Sequence, residues 1–158
     1  MTLNKKRQLK YPNTDTFQYY NRNPKGKITT VCVIRALSTA LDLPYNQVVM
    51  DIATLQCETG LDDASKEMIE LYLKKNGWVK CKQPRKSNNT KYTGDEFCKM
   101  LKQPKCEYKL GLPYCDTHNI VANIGGHHIV AIKDFKVHDI WNSTYGCIGN
   151  VWVKPNCN

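Results

Sequence analysis

No stretch of this sequence approaches the roughly 20 consecutive apolar residues of a membrane-spanning helix, so no membrane is expected among its partners. The opening decapeptide, Met1 to Lys10, lacks the apolar core of a secretory signal and reads as a basic, mobile tail. Metal-ligand spacing is scarce as well. Cys115 and His118 stand three apart, but no second pair at zinc spacing accompanies them, so neither a metal nor another cofactor is expected. Internal repeats, RNA-binding motifs and aromatics interleaved with basic residues are also missing, which removes the stacking platforms of single-strand binders. Acidic residues are in short supply: 14 Asp and Glu against 23 Lys and Arg leave a net charge of +9. Such a surplus attracts nucleic acid or an acidic protein, and it equally describes a solvated basic face with no dedicated ligand.

What the chain does contain is thiols and a core. Eight cysteines would suit a secreted disulfide framework. Without a signal segment they are read as reduced, in a cytoplasmic protein. A length of 158 residues with 41% hydrophobic content fits one folded domain, taken as residues 21–158 behind a tail and lead-in at 1–20. Tyr11 to Lys27 is read as irregular. Helices are expected over Tyr45 to Leu55, Asp63 to Asn76 and Thr93 to Lys102, with Cys57 to Asp63 a loop. Trp78 to Cys81 suits a short strand. Lys82 to Lys91 reads as a basic surface loop, the segment best placed to touch a polyanion. Asn119 to Ile124 and Cys147 to Val153 have β character. Helices first and antiparallel strands afterwards predict an α+β domain.

Two segments carry chemistry. In Val31 to Leu41, the residues Val33, Ala36, Leu37, Ala40 and Leu41 recur at helical spacing, with Thr29 or Thr30 as the expected N-cap. Cys32 then sits in the first turn, where unpaired amides and the helix dipole favour a thiolate. About a hundred residues on, Gly125 to Asn142 reads as a β-hairpin turning at Asp134-Phe135. With those two residues as the loop, Lys133 faces Lys136 and His128 faces Trp141. Asp139 then stands one diagonal step from His128, within side-chain reach. Phe135 is poorly suited to the positive φ of a tight turn, so a loop one residue longer is the alternative, in which His128 faces Asn142. His127 and His138 alternate to the opposite face of the sheet, His118 shows no partner, and Asp134 is explained by turn chemistry.

A cysteine at a helix start, a distant His leading an apolar strand, and an acid two residues before Trp141 resemble the papain-like cysteine peptidases. Cys32-Val33-Ile34-Arg35-Ala36-Leu37 and Asp139-Ile140-Trp141-Asn142-Ser143 resemble segments of small papain-like proteins encoded by bacteriophages and related elements. That resemblance implies N-terminal helices packed against a C-terminal antiparallel sheet. It also implies a Cys32 nucleophile, a His128 base and an orienting Asp139, with Asn142 as the alternative. The family usually carries a Gln shortly before the nucleophile as an oxyanion donor. Here the sixth residue back is Gly26, and Asn23 is the nearest candidate. The implied activity is cleavage of a peptide, isopeptide or other amide bond in a host or viral protein, in the host cytoplasm. The same chemistry serves deamidation and acyl transfer. A competing expectation is a papain-like fold without catalysis, binding a host protein or nucleic acid through its basic surface.

Overall fold

The computed structural model describes residues 1–104 and 115–155. Cys106, Cys157 and the side chain of Cys115, and with it any Cys115/His118 ligand pair, lie outside the described residues. The helices begin and end where local chemistry permits. α2 (Cys32–Ala40) buries Val33, Ala36, Leu37 and Ala40, the apolar face its spacing predicts. α3 (Tyr45–Thr59) starts directly after Pro44 and runs to Gly60, which takes φ 72°. Cys57 to Thr59, expected as loop, is therefore helical, because Gly60 is the first residue suited to a left-handed stop. α4 (Lys66–Lys75) begins three residues later than expected, where the Ser65 hydroxyl accepts the Met68 amide proton. α5 (Gly94–Leu101) has a full capping box between Thr93 and Glu96.

Met1 to Lys10, expected as a mobile tail, is mostly helical, and the lead-in, expected as irregular, contains one short strand. Thr2 caps α1 (Leu3–Lys10), whose last turn carries Arg7 and Lys10, cations that suit the carbonyl end of a helix. No residue of α1 is buried; the Tyr19 hydroxyl ties it down by donating to Asn4 Oδ1 at 2.8 Å. β1 (Phe17–Tyr19) then pairs parallel with β5 (Lys136–Asp139) and buries Phe17 completely. The remaining strands are β2 (Val79–Lys80), β3 (Cys115–Ile124), β4 (His128–Lys133) and β6 (Ile148–Pro155). The sheet order is β1-β5-β4-β3-β6-β2. The fold is α+β as expected, but the sheet is mixed rather than antiparallel, and the correction comes from the lead-in strand.

Both faces of this sheet are covered. Ile120, Ala122, Val130 and Ile132 pack with Phe17, Phe97 and Leu101, whereas Val121, Ile129, Ala131 and Trp152 pack with Leu37, Val48, Met68 and Leu73 of α2 to α4. That is why Ile129 to Ile132 is apolar without alternation. The β4–β5 hairpin has the shorter of the two expected loops: Lys133 faces Lys136 and Ile132 faces Val137. Asp134 and Phe135 both take positive φ, 48° and 63°. Phe135 tolerates this because its ring stacks on His118, with centroids 4.8 Å apart, and packs against the core. The Asp134 amide meanwhile donates to the His118 carbonyl, tying the turn to β3.

Candidate active site

Cys32 is the first residue of α2, and its N-cap is Val31, with no side-chain cap among the described residues. Thr29, one of the two expected caps, instead gives its carbonyl to Arg35 Nη1 at 2.6 Å. The helix start thus keeps unsatisfied amides beside the sulfur, the arrangement that stabilises negative charge there.

The hairpin delivers the partner. The His128 ring and the Ile129 backbone lie close enough to the Cys32 thiol to favour its ionised form. His128 Nε2 bonds Asp139 Oδ2, which leaves Nδ1 for the sulfur. The Trp141 ring lies against the His128 ring, tilted, with centroids 4.9 Å apart. Asp139 is 3% exposed. Its Oδ1 accepts the Ile140 N–H at 2.8 Å and Arg35 Nε at 3.4 Å, so both oxygens are partnered.

These contacts set the charge states. Burial works against a charged His128, but the hydrogen bonds to Asp139 and Cys32 outweigh it and push the imidazole up to about 9. Burial would likewise raise the Cys32 thiol; the bonds from His128 and Ile129, with the charges of His128 and Arg35, bring it below its ordinary value. Both directions favour a thiolate facing an imidazolium.

Arg35, to which the sequence motifs give no role, joins the site. It is 5% exposed, and besides Asp139 it binds the Thr29 carbonyl and, at 3.4 Å, the Val31 carbonyl. One residue therefore braces the carboxylate of β5 and the backbone leading into Cys32. Its sequence signal is a lone charge in an otherwise apolar helical segment, one turn after the cysteine.

The other candidates stand apart. Asn142 Oδ1 accepts the Thr144 amide and hydroxyl at 3.1 and 2.7 Å, closing a turn, so of the two orienting candidates Asp139 is the one bonded to His128. The hydrogen bonds of Asn23 lie within its own loop, to Asn21, Lys25, Gly26 and Lys27. His138 Nδ1 bonds the Lys136 carbonyl and its ring meets Tyr20 edge-on. His118, expected to lack a partner, pairs with Asp134 at 3.2 Å on the surface. In the basic loop, Lys86 is matched by Glu96 at 2.7 Å, and Arg85 is bonded to Gln83 and Asn89. Among the described residues no three His, Cys, Asp or Glu cluster to hold a metal, and no helix is long and apolar enough to cross a membrane. Comparison with family models, with curated proteins and with solved structures gives no match.

Proposed function

We propose that this chain is a papain-like thiol hydrolase of amide bonds. The observation that carries the reading is the hydrogen-bonded His128–Asp139 pair set against the Cys32 thiol, whose ionised form it favours, at the open end of an uncapped helix. The Cys32 thiolate attacks the substrate carbonyl carbon, forming a C–S bond and pushing the carbonyl electrons onto oxygen. The Cys32 backbone N–H, at the helix start, is the donor suited to that oxyanion. As the C–N bond breaks, the His128 imidazolium gives its proton to the departing amine. His128 then takes a proton from water, which attacks the thioester; the acid leaves and the thiolate is restored. Asp139 stabilises the imidazolium and fixes the ring, and Arg35 holds Asp139 in place. The resemblance to phage-encoded proteins supports a host or viral protein as substrate, met in the host cytoplasm.

Iodoacetamide at neutral pH tests the activated thiol: Cys32 is labelled ahead of the exposed Cys57, and His128→Ala removes the preference. Uniform slow labelling of all the thiols would sink the reading. The competing role, binding an acidic partner through Lys82 to Lys91, requires biological activity to survive Cys32→Ser and to vanish on charge reversal of that loop. The internal pairing of Lys86 and Arg85 argues against it.

A further inference from the structure

The two residues that flank the proposed base His128 in sequence, His127 and Ile129, line a cavity of about 170 Å³ together with Lys66, Asn123, Asn150 and Trp152. Ile129 is the shared residue: its backbone lies near enough to the Cys32 thiol to favour the ionised form, and it also lines the cavity. The cavity is smaller than the about 300–1,000 Å³ of small-molecule and cofactor sites, a size suited to a single side chain. Through Asn123, Gly126 and Asn150 it continues into a trough of about 420 Å³ that adds Gln83 and Lys91. Among the described residues no Asp or Glu lines either space. The lining polar side chains are amides, an imidazole and ammonium groups. Lys66 touches a carboxylate only loosely, Glu70 at 3.9 Å, because Glu70 is bound more closely by Lys80 at 2.9 Å. Its side chain is 57% exposed at the rim.

A recess that offers ammonium and amide donors, with no competing carboxylate, matches a carboxylate ligand. We propose that this cavity takes an acidic side chain, Glu or Asp, of the peptide substrate, next to the bond that Cys32 attacks. The proposal rests on the hydrolase reading and narrows its substrate class. It also gives the protein's positive charge a local use, since an acidic peptide is drawn toward the donor-lined trough.

Peptidyl acyloxymethyl ketones with Glu, Ala or Lys adjacent to the ketone or one residue further along test this, with Cys32 alkylation followed by intact mass. At one of the two positions the Glu probe is expected to react about tenfold faster than the Ala probe, one charge-assisted contact, and the Lys probe slowest. Lys66→Glu should abolish the order of Glu over Lys. Equal rates for the three probes, or no reaction with any, while iodoacetamide still selects Cys32, overturn the acidic subsite and leave the thiolate standing. Loss of iodoacetamide selection removes the hydrolase reading itself. Protection of Cys32 by a short single-stranded oligonucleotide, but not by a Glu-rich peptide, also overturns the proposal and assigns the cavity to a phosphate-bearing ligand.

Discussion

Cys32 and Cys98 are both helical cysteines withdrawn from water, and their thiols move in opposite directions. Cys98, fully buried in α5, is pushed up to about 12 by burial and by the negative charge of Asp95. Cys32, only partly buried, is also raised by its burial and still ends below its ordinary value. One nearby backbone group favours the ionised form of each thiol, Val137 for Cys98 and Ile129 for Cys32, so a backbone dipole does not separate them. The difference is the groups packed alongside: His128 and Arg35 at Cys32, against Asp95, only partly offset by Lys102, at Cys98. Asp139 makes the first arrangement tolerable, because it balances two cations that would otherwise be buried together.

Removing that balance is the most damaging way to break the contrast. Asp139→Ala leaves Arg35 without its carboxylate, and loss of one partner from a buried pair typically costs about 3–5 kcal/mol. A drop of that size is expected in urea unfolding, together with Cys32 labelling that falls toward the Cys98 rate. Asp139→Asn, which keeps the shape, should retain more stability but lose the same labelling. Full labelling in a stably folded Asp139→Ala variant would show that the carboxylate does not govern the site.

The next effect is the labelling contrast itself. A thiol pushed up to about 12 is almost wholly protonated at neutral pH, whereas one held below its ordinary value carries far more thiolate. The lower intrinsic nucleophilicity of the more acidic thiol takes back part of the difference, and Cys32 should still outpace the fully buried Cys98 with iodoacetamide. Arg35→Met, which keeps an unbranched apolar stem, should narrow the gap less than His128→Ala does. Equal narrowing by both would promote Arg35 from a brace to a main source of the field.

How much of this contrast can be read from the chain depends on how local its causes are. The helix around Cys32 and the hairpin register that brings Asp139 to His128 follow from spacing within a few residues, and both are as expected. The turn was ambiguous only because Phe135 is costly at positive φ; the compensation comes from His118, on a strand distant in sequence. The Thr29 or Thr30 cap failed for a similar reason, since Arg35 and Val31 reorganise that entry. Arg35 could be seen as an odd charge on an apolar helix, but its partner 104 residues away could not. The parallel edge strand Phe17–Tyr19 was hidden by the polar residues around it. Three residues bridged to a distant strand leave almost no periodic signal.

The site's ion pair also has a pH signature. His128 moves from an ordinary 6.5 up to about 9, so the stability contributed by its charged form is complete below 6.5 and is lost as pH rises through about 9. Cys32 is shifted the other way, so its contribution is present above the unfolded thiol value and lost as pH falls through the folded one. The two contributions oppose each other as pH approaches 9, so the steeper fall of unfolding free energy in the native chain than in His128→Ala is expected between pH 6 and 7.5, where His128 changes first. Parallel curves would mean that His128 is not charged in the fold.

The smallest effect belongs to the other His–Asp pair, which joins the hairpin turn to β3. His118 and Asp134 have side chains 60% and 73% exposed, against 18% and 3% for His128 and Asp139. Water screens the outer pair and both groups keep their hydration, so such contacts contribute no more than about 1 kcal/mol. Asp134→Asn removes the charge yet suits the left-handed backbone that the turn requires at φ 48°. It should change stability by less than about 0.5 kcal/mol and leave Cys32 labelling untouched. A larger loss in urea unfolding would mean that the turn, and through it the register presenting Asp139 to His128, depends on the outer carboxylate as well as on the packing of Phe135 against His118.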